Sequence, residues 1–281
     1  MTREHTERPV VAVIDSGIAA ETRADGWLAA VERHGGADAE SNIDPVDYLG
    51  DGSDRLELSA GHGTFVAGIV AQVCPTADLV MYRAVPADGV GTELDVARAM
   101  VRAAEDGAHI LNLSLGHQSE RDEPSLPLAA AVARIRQIEA ERKEEIVVVA
   151  AAGNFGDDRP TWPAALHDVV AVGSVDTDLR TSAWSSRGAW VDVATVGRGV
   201  LSTYVRGQSY DEGGSVVDEF GDNAFARWTG TSFAAPQVAG AVAQEMVRAG
   251  VGARSALRTV LAGAVRVGRE GTPVLTVLPG M

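Results

Sequence analysis

Six short apolar runs recur along this chain: Val10–Ile14, Leu79–Tyr82, His109–Leu113, Ile146–Ala150, Val169–Val172 and Val191–Ala194. Their apolarity is continuous rather than alternating, which marks strands covered on both faces, as in a parallel sheet. Helical patterns lie between several of them. Thr92 can cap a helix with Asp95 three residues on, and Leu94, Ala97, Val101 and Ala104 then share one face until Gly107. Leu128, Val132, Ile135 and Ile138 form a second stripe, with Arg134, Arg136, Glu139 and Glu141 facing out. The segments Gly63–Val73 and Ser232–Arg248 read as Ala/Val-rich helices with little polar surface, hence buried. This alternation predicts an α/β fold: a single domain with a doubly wound, mainly parallel sheet flanked by helices, its core running from about residue 10 to 262. A length of 281 residues fits one such domain. Residues 34–60 and 206–227, rich in Asp, Gly and Ser, read as long surface loops.

Composition narrows the function classes. The formal net charge is −15, the wrong sign for a nucleic-acid binder, whose phosphate contacts come from Lys and Arg. No apolar run approaches the roughly 20 residues of a membrane span, so no membrane partner is expected. The charges in MTREHTERPVVAVIDSG stand where a signal peptide would carry its apolar region, and no propeptide is visible. The expected location is therefore cytoplasmic, or secreted in mature form if a leader has been removed. Cys74 is the only cysteine, so no internal disulfide can form, and its neighbours read as a buried small side chain.

Several familiar sites are missing. The stretch GVGTEL at Gly89–Leu94 has Leu94 where a dinucleotide loop needs its third glycine. Neither GxSxG nor HExxH occurs, and the six histidines lack metal-ligand spacing. Four other segments fall at strand ends or helix starts: VIDSG with Asp15, GHGTFVAG with His62, AAAGN with Asn154 and GTSFAAP with Ser232. In open α/β sheets such positions converge on one crevice. Each alone has a plain reading: turn residues for Asp15, His62 and Asn154, a helix cap for Ser232 or Thr231. Together, Asp15, His62 and Ser232 supply the three side-chain types of a serine hydrolase.

In these motifs, and in NLSLG at Asn112–Gly116, the sequence resembles the subtilisin-like serine proteases from about Val10 to Val247. The order Asp, His, Ser along the chain is that family's. The resemblance implies a subtilisin-like fold and an endopeptidase working through an acyl-enzyme. By position, Ser232 matches the nucleophile, His62 the general base and Asp15 the acid that holds the imidazole. Asn154 matches the side-chain donor of the oxyanion hole, with the Ser232 backbone N–H as its second donor. Gly89, Val90 and Gly91 match one edge offered to an extended peptide or protein substrate, and Ser114, Leu115 and Gly116 the opposite edge. Ala151, Ala152 and Gly153 match the wall of the pocket for the residue before the scissile bond, where small residues leave room.

The chain also departs from the family. Only Cys74–Ala77 separates the His62 helix from the next strand, so the calcium loop that many relatives carry near residues 73–78 reads as deleted. Phe65 replaces the histidine common in HGTH. No cofactor is required for the chemistry and no metal ligands are assigned, while the acidic loops leave other calcium sites open. Asp157 and Asp158 could touch the pocket rim and favour Lys or Arg. The 34–60 and 206–227 segments are expected to flank the cleft and narrow substrate choice, as in a processing enzyme. Two rivals use the same residues: a non-catalytic peptide-binding module, and an esterase or transpeptidase. Which protein activates or inhibits the chain is not legible in the sequence.

Overall fold

The computed structural model describes residues 8–31, 42–46, 54–211, 213–267 and 271–278. Most of the 34–60 segment thus lies outside the described residues. Twelve strands form one large sheet and two ribbons. They are β1 (Val10–Asp15), β2 (Asp78–Arg83), β3 (Ile110–Leu113), β4 (Val147–Ala151), β5 (Val169–Val175), β6 (Val193–Val196), β7 (Val200–Thr203), β8 (Gly207–Tyr210), β9 (Val216–Phe220), β10 (Phe225–Trp228), β11 (Val265–Arg266) and β12 (Pro273–Val274). The large sheet runs β11-β12-β6-β5-β4-β3-β1-β2, parallel except for the β11–β12 pair. Five helices accompany it: α1 (His62–Val73), α2 (Glu93–Glu105), α3 (Leu126–Arg142), α4 (Ala235–Ala249) and α5 (Ala253–Ala262). No helix among the described residues is long and apolar enough to cross a membrane.

The continuous apolar runs are explained by two cores. Val11 and Val13 of β1 join the core under α1 and α4, while the alternate Ala12 and Ile14 join the core under α2 and α3. A strand buried on both faces has no polar side to show, which is why alternation is missing. After β1 the chain adds β2 on one side, then crosses to place β3 on the other. That reversal opens a crevice at the carboxyl ends of β1 and β3. Register levels the ends, since Ile14 lies opposite Leu113 and Leu113 opposite Ala150.

Three expectations are corrected. Residues 206–227 are not one loop: β8 and β9 form a hairpin, and β10 pairs antiparallel with β7. Its neck is closed by Tyr204 N–H to Ala224 O at 2.8 Å. The buried Arg23 guanidinium clamps it by donating to the carbonyls of Tyr204, Asn223 and Ala224. The face of α2 is also rotated from the one read off the sequence. Thr92 caps it as expected and Ala97 and Ala104 of the expected stripe are buried, but Val96, Met100 and Ala103 go inward with them while Leu94 is half exposed. Finally, Ser232 does not begin the long helix. It sits in a separate 3₁₀ turn, Thr231–Phe233, ahead of α4.

The glycines of IDSG and GHGT meet each other. Gly17 has φ +110° and lies against the backbone of Ile43 and Asp44, and a Cβ on Gly63 would overlap the Gly17 carbonyl oxygen. Backbone on backbone cannot yield as a side-chain tip can. We therefore expect Gly63→Ala to cost about 3 kcal/mol or more of stability. A urea-unfolding midpoint equal to that of the wild type would refute this close approach.

Candidate active site

Asp15 ends β1, buried, and His62 begins α1. The Asp15 carboxylate Oδ1 lies 2.7 Å from His62 Nδ1 and also accepts the Ser16 N–H at 2.8 Å. Because a carboxylate only accepts, Nδ1 carries the proton and Nε2 is left as the basic nitrogen. Burial, the largest influence on His62, disfavours its charged form. The Asp15 charge and hydrogen bond, helped by the charge of Asp44, outweigh it, so the histidine is pushed above its ordinary 6.5. The ring packs edge-on to Trp228 at 5.5 Å and tilted against Phe233 at 5.3 Å.

Phe233 brings its neighbour Ser232 beside that ring. The turn carrying Ser232 is held from three sides. Ser114 Oγ, steadied by Asn112 Nδ2, donates to the Ser232 carbonyl at 2.7 Å. The Gly230 N–H donates to Gly197 O, and the buried Gln237 amide donates to Phe233 O and Val196 O. Ser232 Oγ makes no hydrogen bond among the described residues, so its bond to His62 Nε2 is not formed here. Catalytic hydrogen bonds are often loose before substrate arrives.

Asn154 follows β4 on the same rim. Its Oδ1 accepts both the Thr231 N–H at 2.9 Å and the Thr231 hydroxyl at 3.0 Å, and that hydroxyl accepts the Gly153 N–H. A backbone N–H can only donate, so the atom facing it must be the oxygen and the amide orientation is fixed. Asn154 Nδ2 and the Ser232 N–H are then the donors left without partners among the described residues. Two such donors beside a hydroxyl and a histidine can receive a developing negative charge.

The segments expected to offer substrate edges lie on two loops beyond the sheet. Gly89, Val90 and Gly91 form an exposed stretch ahead of α2, and Ser114, Leu115 and Gly116 leave the end of β3. His117 Nε2 and Glu93 Oε1, 2.7 Å apart, link the two edges. Ala151, Ala152 and Gly153 face Gly116 across Thr161. A Cβ on Gly116 would meet Thr161 Cγ2 at 2.9 Å, and one on Gly153 would meet Thr161 Oγ1 at 2.9 Å. Thr161 fills the floor between the walls, fully buried, and its hydroxyl has no partner among the described residues. Asp157 does not reach this floor: its carboxylate accepts from Gln118 Nε2 and Arg159 N–H, and with Asp158 it borders a different hollow, with Arg187 and Asp192. Thr161, Thr231, Trp228 and Asp44 were missed from sequence. Only Thr231, inside GTSFAAP, carried a signal. Among the described residues no cluster of three or more His, Cys, Asp or Glu could hold a metal.

Residues 6–269 match the model of the subtilase family. The chain belongs to that family. This subtilase is 34% identical over 211 residues to the thermophilic serine proteinase of Bacillus sp. (strain AK1), a match covering 72% of this chain and 46% of the relative. It is 33% identical over 201 residues to subtilisin BL of Lederbergia lenta, covering 68% and 65%. The match thus spans about half to two thirds of these relatives' length. A solved protease structure from Pseudoalteromonas arctica PAMC 21717 shares the fold, with a TM-score of 0.74 over 97% of this subtilase and 88% of that chain at 24% identity.

The histidine environment is testable without substrate. In an NMR titration, His62 of this subtilase should titrate above 6.5. In Asp15→Asn its titration should fall, since burial then acts against a weaker opposing charge. An unchanged titration in that variant would remove Asp15 as the partner.

Proposed function

We propose that the protein is a serine endopeptidase in which Ser232, His62 and Asp15 form the catalytic triad. What carries this reading is the Asp15–His62 hydrogen bond beside a serine whose own N–H, like Asn154 Nδ2, has no partner among the described residues. His62 Nε2 takes the proton as Ser232 Oγ attacks a peptide carbonyl. The oxyanion gathers hydrogen bonds from Asn154 Nδ2 and the Ser232 N–H. Collapse passes the proton from Nε2 to the leaving amine, and water then releases the acyl group by the reverse proton path. Asp15 stays ionised and holds the ring. No step calls on a cofactor.

The substrate is an extended peptide or protein segment, paired by its main chain between Gly89–Gly91 and Ser114–Gly116. The side chain before the scissile bond enters between Ala151–Gly153 and Gly116, where small residues leave room. The β8–β9 hairpin, rooted beside Trp228 and hence beside His62, limits which segments reach the cleft, as befits a processing protease.

The deciding test is intact mass after a fluorophosphonate probe. One adduct is expected on the wild type and none on Ser232→Ala, and no adduct on folded wild type would favour a peptide-binding module. Comparing ester hydrolysis, amide hydrolysis and acyl transfer separates a peptidase from an esterase or transpeptidase. Asn154→Ala should lower kcat by roughly 10²–10³ with little change in KM. Replacing residues 209–219 by a tight turn should broaden the accepted sequences, and an unchanged profile would sink the gating role of the hairpin.

A further inference from the structure

Helix α1 presents His62 yet has no cap of its own. Its N-cap is Gly61 in a left-handed conformation (φ 73°), no cap side chain bonds the first turn, and no acidic residue lies there. Exposed N–H groups and a positive dipole end need acceptors and negative charge. Asp44 brings both from a separate stretch of chain. It is buried at 3% exposure, and its Oδ2 accepts the Gly61 N–H at 2.8 Å. The same oxygen accepts the Ser16 hydroxyl at 3.1 Å, while Ser16 Oγ accepts the Gly63 N–H at 3.1 Å. Asp44 Oδ1 accepts the Val46 N–H at 2.9 Å. The backbone of the segment is fixed as well, by Asp44 N–H to Ile18 O and Ile18 N–H to Asn42 O.

We propose that Asp44 is a positioning residue for His62, capping the start of α1 from outside and placing a second buried negative charge behind the imidazole. This rests on the reading of His62 as general base. Among the described residues three donors and no acceptor face the Asp44 carboxylate, which is the environment of the ionised form. Burial pushes its titration above the ordinary carboxylate range, and the charge of Asp15 adds to this, while the three hydrogen bonds pull it back. Among the described residues, the other titratable groups around it are few. His62 lies on α1 and Asp15 on β1. Tyr204, after β7, has its phenol pushed up to about 12 by burial first and then by Asp44 and Asp218, so it stays neutral in the working range. Arg83 on β2 gives its guanidinium to the Ile43 carbonyl, and Arg23 to the neck of the hairpin. The protonated imidazole is thus the cation on which Asp15 and Asp44 both act.

Asp44→Asn removes the charge while keeping an oxygen for the Gly61 N–H, and Ser16→Ala breaks the same hydrogen-bond network while leaving the charge. The histidine titration is read by NMR, and the acid limb of kcat/KM is read on a small peptide substrate. In Asp44→Asn both should move down together by about half a pH unit or more, with Ser16→Ala unmoved even if its rate falls. If the limb and the NMR titration of Asp44→Asn superimpose on the wild type, and its rate loss merely follows its melting temperature, Asp44 is a structural residue only and the proposal falls. The NMR arm needs no turnover, so an unreactive Ser232 would sink the triad without touching it. Should Asp44→Asn fail to fold, Asp44→Glu serves: it keeps the charge and must keep the wild-type titration, and a drop in it would overturn the proposal.

Discussion

Two backbones touch where the end of a strand meets the beginning of a helix, and the site is built outward from that contact. With no Cβ on Gly63, α1 can press on the Gly17 backbone of the turn after β1 until His62 Nδ1 lies 2.7 Å from Asp15. A single methyl group between them would part the carboxylate from the ring it orients. The parallel sheet then supplies the rest by register, because β1, β3 and β4 end level and their following residues share one rim. Ser114 and Asn154 both reach from that rim to the turn that carries Ser232.

Charge is arranged as narrowly as shape. Two carboxylates, Asp15 and Asp44, are buried near one imidazole, and they repel each other as well as attracting the ring. Burying like charges is tolerable only where hydrogen bonds replace lost water. Asp44 has three such donors, while Asp15 keeps one oxygen, Oδ2, without a partner. Imidazolium formation therefore relieves strain on both acids at once. A base whose protonated form is favoured by its surroundings suits a reaction that passes through that form.

The strands, the helices and the residues proposed as a triad each leave a local mark in the sequence: β-branched runs, a Thr92 cap, small residues packed around Ser232. What escaped was whatever depends on distant segments meeting. Asp44 sits in NIDP, which reads as surface loop, and only the fold brings it under Gly61. Thr161 shows nothing in sequence until Gly116 and Gly153 close on it. On α2, two overlapping helical stripes compete in the sequence. Packing against α3 and the sheet buries Val96, Met100 and Ala103 together with Ala97 and Ala104 of the stripe through Leu94, and leaves Leu94 itself outside. The 206–227 segment was misread because its strands are short and polar, with β9 exposed along most of its length, so no apolar pattern announces them.

The closed neck of that hairpin separates two kinds of change. Tyr204 and Ala224 are joined by a backbone hydrogen bond, and Arg23 binds both carbonyls from below. Lengthening the excursion beyond such a clasp costs only loop-closure entropy, about 0.6 kcal/mol for each doubling. Trp228 would keep its place against His62 throughout. Descendants of this chain can thus lengthen, shorten or recolour the hairpin while the residues beneath it are inherited intact.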